Sequence, residues 1–387
     1  MGFILFEKSE KEIILKTSDL LNKLQLFSVL VGNVPSFRDQ VGISNDGAVL
    51  TVMLKTPEVE AEIGIPSEGS VWDQTEPFRV SWSRWYGLLQ SLSDKEIRTN
   101  VKDDTFYWEG PLKSQKGKIA LSGIFGEAED MVTKEKKSKP PEVSFLVDDS
   151  FQKACSLLKS SINFKSFSMC RGILVRCQKD GSCLLYATDG LVLGKATVFP
   201  EFQTPFGDDC TFLIPPSLVS VLSDVGAVGG SVHWSPSTKD TIKFQKDGFV
   251  LEAGLLPPPD IDPEAEIVQS IGNPKDNDFV RFPEGLKKGL ERARLIGSTD
   301  EAVVSLTLDE CHLLLDYTGQ FGELNEKFSL NFSPPGKITI QMRLKELLLS
   351  LSVGSEFLFF HNNPSVFCSR EKDGKSFSFL FLAGSVG

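Results

Sequence analysis

Residues 151–162 read FQKACSLLKSSI, and their apolar members Phe151, Cys155, Leu158 and Ile162 stand at offsets 0, 4, 7 and 11. At about 3.6 residues per turn these offsets fall on one stripe, so the spacing predicts an amphipathic helix. The same offsets recur upstream in Leu20, Leu24, Phe27 and Val31 of LLNKLQLFSVLV (20–31). They recur downstream in Leu286, Leu290, Ala293 and Gly297 of LKKGLERARLIG (286–297), with Gly297 the weak member. One stripe is thus used three times, about 130 residues apart, close to the usual length of a domain.

A second set of helices keeps the same rhythm. Trp85, Leu88, Leu89 and Leu92 share offsets with Leu218, Val221, Leu222 and Val225, and with Leu344, Leu347, Leu348 and Leu351. Each set follows a short extended apolar run, at Phe78–Ser81, Cys210–Ile214 or Ile338–Ile340, and Pro215-Pro216 marks the helix start in the second copy. Between the helices lie alternating runs joined by turns: Val41–Ser44 and Val49–Met53 around Asn45-Asp46-Gly47, Ile173–Val175 and Cys183–Tyr186 around Lys179-Asp180-Gly181, and Val303–Leu308 and His312–Leu315 around Asp309-Glu310. Further strand pairs follow the second helices, as at Thr241–Phe244 and Phe249–Leu251 around Lys246-Asp247-Gly248. Asp-Gly between alternating apolar residues is a hairpin signal. The fold class read from this is α+β: three repeats, each a β-sheet with two helices.

The 387 residues suit three such domains, with boundaries read at 1–130, 143–258 and 278–387. The intervening 131–142 and 259–277 read as linkers, being polar or proline-rich and poor in large apolar residues. No apolar run approaches the ~20 residues that cross a bilayer, and Glu7 and Lys8 interrupt any leader, so a soluble, cytoplasmic protein without membrane contact is expected. Seven cysteines without a Cys-x-x-Cys pair read as scattered reduced thiols, with Cys155, Cys177 and Cys183 as small buried hydrophobes. His233, His312 and His361 have no metal-ligand spacing, and no Gly-x-Ser-x-Gly or strand-borne Gly-x-Gly-x-x-Gly occurs, so neither an enzyme nor a cofactor is indicated. The alternating acids Asp260, Asp262, Glu264 and Glu266 read as a solvated charge run.

A net charge of −11 repels nucleic acid, so DNA contact requires local basic concentration. Lys153 and Lys288 occupy matching offsets on the first helices, as do Lys159 and Arg294, all off the apolar stripe. The first repeat has Asn22 and Ser28 there instead.

The segment Arg171–Lys195, RGILVRCQKDGSCLLYATDGLVLGK, resembles the middle domain of the bacterial β sliding clamp, the processivity factor of replicative DNA polymerases, most specifically at Ala187-Thr188-Asp189-Gly190. Glu12–Val31 is similar to that family's opening strand and helix, Glu291–Ser298 to the helix end where its subunits meet, and Lys337–Leu351 to its last strand and helix. The resemblance implies a head-to-tail homodimeric ring, helices lining a central hole and sheets outside. Spacing agrees: helices packed roughly 9 Å apart give a circle about 17 Å across for six and about 34 Å for twelve, so two chains are needed around a duplex.

On this resemblance the expected sequence-independent DNA contacts are Lys153, Lys159, Lys165, Lys288, Arg292, Arg294, Arg343 and Lys345, with Arg38 and Arg84 in the first domain. A partner-peptide pocket between the second and third domains, receiving polymerase and clamp loader, maps to Cys170, Thr188, Gly190, Leu191, Val192, Leu193, Pro258, Phe381, Leu382, Ala383 and Gly384. The subunit interface maps to Ile119 and Leu121 against Leu295 and Ile296 of the other copy. Two departures stand out. Leu191-Val192 replaces the family's usual His-Arg, and the chain ends Ala383-Gly384-Ser385-Val386-Gly387 in place of a Pro-Met-Arg-Leu-like tail, which makes the pocket more apolar. Such divergence suits a clamp serving its own polymerase, in a bacterial cell or nucleoid or, if viral, in infected host cytoplasm. The competing reading is a β-rich structural or binding protein, such as a virion or scaffold component, that encircles no DNA. It accounts for 29 phenylalanines but not for basic residues at repeated helix offsets.

Overall fold

A computed structural model of the chain describes residues 13–34, 36–69, 72, 77–92, 96–102, 105–110, 115–122, 143–162, 171–203, 209–234, 241–258, 262–265, 269, 279–297, 299, 302–331, 336–360, 365–371 and 377–385. The first repeat runs β1 (Ile13–Lys16), α1 (Thr17–Lys23), α2 (Gln25–Val31), β2 (Gln40–Asn45), β3 (Val49–Lys55), β4 (Val59–Pro66), a two-residue β5 (Glu68–Gly69), β6 (Phe78–Ser81), α3 (Trp82–Ser91), β7 (Glu96–Lys102), β8 (Thr105–Glu109) and β9 (Lys116–Ala120). The second runs β10 (Val143–Leu146), α4 (Asp149–Leu158), β11 (Ile173–Cys177), β12 (Cys183–Thr188), β13 (Val192–Val198), β14 (Cys210–Ile214), α5 (Pro216–Leu222), β15 (Ser231–Trp234), β16 (Thr241–Lys246) and β17 (Phe249–Gly254). The third runs β18 (Val280–Arg281), α6 (Leu286–Gly297), β19 (Val303–Asp309), β20 (His312–Gly319), β21 (Gly322–Ser329), β22 (Ile338–Arg343), α7 (Leu344–Val353), β23 (Glu356–Phe360), β24 (Ser365–Arg370) and β25 (Phe377–Ser385). Apart from β5 and the split of the first helix, the order is the same each time.

Local chemistry explains the elements. Asp148 caps α4, its Oδ1 accepting from the Phe151 N–H at 2.7 Å, and Pro216 starts α5 where a missing N–H costs nothing. In the first hairpin Asp46 Oδ1 accepts from the Ala48 and Val49 N–H groups at 2.9 and 2.8 Å, while Gly47 takes a φ of 96°. At the β16–β17 turn Asp247 and Gly248 both have positive φ, 47° and 83°, as a two-residue turn with strand-matching twist requires.

All four members of the stripes at 20–31 and 151–162 are buried, and so are Leu286, Leu290 and Ala293. The helix over 20–31 is split at Leu24, yet the Ser28 N–H still donates to the Leu24 carbonyl at 2.8 Å, which keeps the stripe aligned. Gly297 is weak for a steric reason: a Cβ there would lie 2.9 Å from the Ala302 Cβ and 3.1 Å from the Tyr317 hydroxyl.

Three readings are corrected. Val225 does not continue the α5 stripe, because the helix ends at Leu222 and Asp224 caps a separate 3₁₀ turn through the Gly226 N–H, leaving Val225 75% exposed. The cysteines are not all scattered: Cys177 lies directly opposite both Cys183 and Cys210 in the ladder, with its Sγ 3.0 Å from that of Cys183. Hydrogen bonding to Cys183 and Cys210, followed by burial, pushes the Cys177 thiol far above its ordinary value. Among the linker acids, Asp262 and Glu264 are each ion-paired to the sheet, Asp262 while remaining exposed and Glu264 half-buried; Asp260 and Glu266 lie outside the described residues.

The chain divides into two compact units. The first comprises Met1–Gln152, Glu201–Phe206 and Pro215–Leu255, and the second Lys153–Pro200, Gly207–Ile214 and Leu256–Gly387. The first contains a five-stranded sheet, β5-β1-β7-β8-β9, and an eight-stranded sheet, β10-β15-β16-β17-β4-β3-β2-β6. The second contains a twelve-stranded sheet whose main path is β14-β11-β12-β13-β25-β22-β19-β20-β21. All pairings are antiparallel, and strands such as β3 and β4 alternate between buried and exposed residues as half-covered antiparallel strands should. Phe145, Phe151 and Trp234 pack in the core of the first unit, with Phe145 centred 4.9 Å from Phe151. Phe282, Phe357 and Phe367 stack in the second.

Candidate functional site

Sheet edges give the molecule its most informative geometry. In the first unit β17, the last strand of the second repeat, pairs with β4, the fourth strand of the first repeat disregarding helices, placing Phe249 opposite Ile63 and Leu251 opposite Ala61. In the second unit β25, the last strand of the third repeat, pairs with β13, the fourth strand of the second, placing Phe381 opposite Val192 and Phe379 opposite Gly194. Both seams obey one rule: a last strand joins the fourth strand of the preceding repeat. Two strands of those classes remain at sheet ends with no further strand among the described residues, β9 and β21.

The open edges carry the expected interface residues and one more. Leu295, at the end of α6, is 83% exposed, and Ile296 packs its Cγ2 toward Gly322, the first residue of β21. Phe321, in the turn before β21, is 69% exposed and was not singled out from sequence, although a phenylalanine within Gly319-Gln320-Phe321-Gly322 was the available signal. Ile119 on β9 and Leu121 just beyond it are half-buried. The edges also differ in charge, with Lys116 and Lys118 on β9, and with Glu323, Lys327 and the Arg292-bound Glu326 on β21.

The expected DNA contacts divide by environment. Arg38, Arg84, Lys288, Arg294 and Lys345 are exposed and Lys159 is half-buried. Lys287, also exposed on α6, joins them without having been anticipated. Arg84 lies near Asp39, whose carboxyl burial alone would raise; hydrogen bonds from Ser81 and Ser83, with the Arg84 charge, outweigh burial and hold it below its ordinary value. Lys153 pairs with Glu371 at 3.6 Å, Arg343 is bound by Glu346, and Arg292 makes a two-pronged bond to Glu326 at 2.6 and 2.7 Å. These three are ion-paired within the chain, and Lys159 and Arg294 also have interaction partners there. Lys165 lies outside the described residues.

Of the expected peptide pocket, Gly190 and Leu191 lie in the tight turn between β12 and β13, with Thr188 ending β12 and Val192 and Leu193 opening β13. Asp189 Oδ1 accepts from the Leu191 and Val192 N–H groups at 2.9 and 2.8 Å, Thr188 Oγ1 accepts from the Gly190 N–H at 3.0 Å, and Gly190 has a φ of 93°. Leu191 is half-exposed and Val192 buried. The ladder brings β25 alongside, with Val192 opposite Phe381, and Leu382, Ala383 and Gly384 continue that strand opposite Val366, Ser365 and Gln341. Pro258 is exposed, and Cys170 lies outside the described residues. A separate cleft of about 400 Å³ opens at the first seam, lined among others by Lys23, Leu26, Ile63, Lys246 and Phe249.

No protein-family model matches the chain, and no curated protein does. Solved structures do. The Helicobacter pylori beta clamp in complex with 3,4-difluorobenzamide superimposes with a TM-score of 0.72 at 15% identity, covering 97% of this chain and 100% of that one. The DNA polymerase III subunit beta from Pseudomonas aeruginosa does so with a TM-score of 0.70 at 17% identity and the same coverage. The Helicobacter pylori beta clamp has also been solved bound to a DNA ligase peptide, and matches with a TM-score of 0.71 at 16% identity over 97% of this chain and 100% of that one. The chain therefore has the fold of bacterial β sliding clamps along nearly its whole length.

Proposed function

We propose that this chain is a sliding clamp: two copies close head to tail around duplex DNA and hold a replicative DNA polymerase and its clamp loader through short peptides. The three domains are 1–130, 143–258 and 278–387, joined by linkers at 131–142 and 259–277. The observation that carries the reading is the edge rule. A last strand joins a preceding fourth strand at two seams, and the two strands left over, β9 and β21, are one of each class. A second copy's β9 on β21 repeats the rule, and the reciprocal contact closes the ring. Exposed Leu295 and Phe321, with Ile119, Leu121 and Ile296, exclude water from that joint.

A closed ring holds DNA by topology, so its inner surface needs cations that balance phosphate charge without fixing register. Long, solvated Lys and Arg side chains do this and read no bases. Arg38, Arg84, Lys159, Lys288, Arg294 and Lys345 are the residues assigned to it, α6 being the densest source, with Lys153, Lys165, Arg292 and Arg343 as supporting charge. Partner peptides bind beside the β12–β13 turn, where exposed Leu191 offers an apolar wall and β25 runs alongside. The protein's part in replication is mechanical, without catalysis, in the cytoplasm.

The test is retention on nicked circular duplex DNA after gel filtration in moderate salt. The protein should stay with the circle and be lost when the circle is linearised. Equal loss from both forms would remove encirclement.

A further inference from the structure

The sheet of the second repeat has one face turned to the core, through Ile173, Val175, Cys177, Cys183 and Leu185, and one face turned away. The outward face presents Leu174 and Arg176 on β11, Leu184 and Tyr186 on β12, Lys195 on β13 and Leu213 on β14. Leu174 stands opposite both Tyr186 and Leu213, and Tyr186 opposite Lys195. Such a face normally meets solvent, yet Tyr186 is only 2% exposed. Its cover is the chain itself. Leu256 bridges to Leu213 and packs on the cluster of Leu174, Tyr186 and Leu213. A few residues on, Asp262 Oδ1 accepts from Arg176 Nη1 at 2.7 Å, and Glu264 Oε1 accepts from Lys195 Nζ at 2.5 Å and from the Tyr186 hydroxyl. The Arg176 guanidinium and Lys195 ammonium sit 5.7 and 5.9 Å from the centre of the Tyr186 ring.

In a chain of net charge −11, this is a built cationic and aromatic face whose acceptors are supplied by a segment otherwise composed as a linker. The contacts define what it recognises: an apolar side chain followed by two carboxylates two residues apart. We propose that the Arg176–Tyr186–Lys195 face is a docking site for an acidic peptide of a partner protein, and that Asp262–Ala265 is an internal occupant which the partner must displace. Thr188 lies two residues beyond Tyr186 on the same strand, with Leu193 opposite it. A peptide seated at the β12–β13 turn therefore reaches Lys195 and Arg176 with an acidic flank. The docking site stands without the clamp reading, because its test reads peptide binding and no DNA.

The probe is a fluorescent synthetic peptide of residues 255–266, LLPPPDIDPEAE, titrated by anisotropy into the full chain. Asp262→Asn with Glu264→Gln removes an internal competitor present at roughly millimolar effective concentration, and should tighten peptide binding at least about tenfold over the unaltered protein. Adding Arg176→Glu and Lys195→Glu should abolish it. A second measurement leaves the protein unaltered: saturating peptide, its own glutamates replaced by aspartate, should make Glu264 of the protein cleavable by a glutamate-specific protease. The inference is overturned if the released variant binds no tighter than the unaltered protein or not at all, if binding survives reversal of Arg176 and Lys195, or if cleavage at Glu264 is unchanged by peptide.

Discussion

The closed seams and the open edges are built from the same two classes of strand, and they differ in what covers them. On β4 the residues Val59, Ala61, Ile63 and Ile65 are buried, and opposite them on β17 so are Phe249, Leu251 and Ala253. On β13 Val192, Ala196 and Val198 are buried beside β25. No residue of β21 or β9 is fully buried, and the apolar residues near β21 include two of the most exposed in the described chain, Leu295 and Phe321. A strand edge with unpaired backbone and exposed apolar neighbours is a liability unless something pairs with it. The difference teaches that each unit ends one sheet in a strand, β9 in the first and β21 in the second, whose class is joined elsewhere in the chain but which has no further strand beside it among the described residues.

The largest expected effect lies in a closed seam. Phe249→Ala removes a buried ring from the β4–β17 joint and should cost about 3–5 kcal/mol of folding stability, read by urea denaturation. A loss under about 1 kcal/mol would mean that the seam is not packed like a core. The open edge should behave in the opposite way. Leu295→Asp with Phe321→Asp should weaken self-association at least about 100-fold, by sedimentation, while changing folding stability by no more than about 0.5 kcal/mol.

On α6, off its apolar stripe, Lys288→Glu with Arg294→Glu should lower DNA retention about tenfold and flatten its dependence on salt, leaving the self-association constant alone. If association falls as well, Lys288 and Arg294 belong to the joint with Leu295 and not to the DNA-facing surface. The smallest effect separates apolar seams from the carboxylate-held strap. Asp262 is held below its ordinary value chiefly by the hydrogen bond from Arg176; for Glu264, burial alone would raise the carboxyl, but Lys195 and Tyr186 outweigh it and hold it low. Depressed carboxyls stabilise the bound strap above the usual carboxylate pKa, about 4.3 for Glu, and lose that contribution only as pH falls below it. Tyr186 fluorescence should therefore be flat from neutral pH down to about pH 4.5 and change below, before the seams open. A change already complete at pH 5.5 would contradict the assignment.

Much of this was legible in the chain because burial leaves a period. Stripes such as Phe151, Cys155, Leu158 and Ile162, and turns such as Asn45-Asp46-Gly47, are local signals set by helix pitch and by φ. Val225 was misread because offset counting continues past a helix end, and the decisive events were a stop at Leu222 and the Asp224 cap that follows. Asp262 and Glu264 were misread because the partners of these acids, Arg176, Lys195 and Tyr186, are 86, 69 and 78 residues away in sequence. The open edges were equally hidden. β4 keeps apolar residues at every second position, while β21 keeps only Leu324 and Phe328 on the matching face with Glu326 between them, and the pairing partner is what reveals that one is covered and the other is not.

The central claim is that β9 of one copy pairs with β21 of another. Multi-angle light scattering of the purified protein measures its consequence directly. The account predicts a single species of twice 42.7 kDa that falls to the single-chain mass on Leu295→Asp with Phe321→Asp. A species of 42.7 kDa for the unaltered protein, or a dimer indifferent to those substitutions, would contradict it.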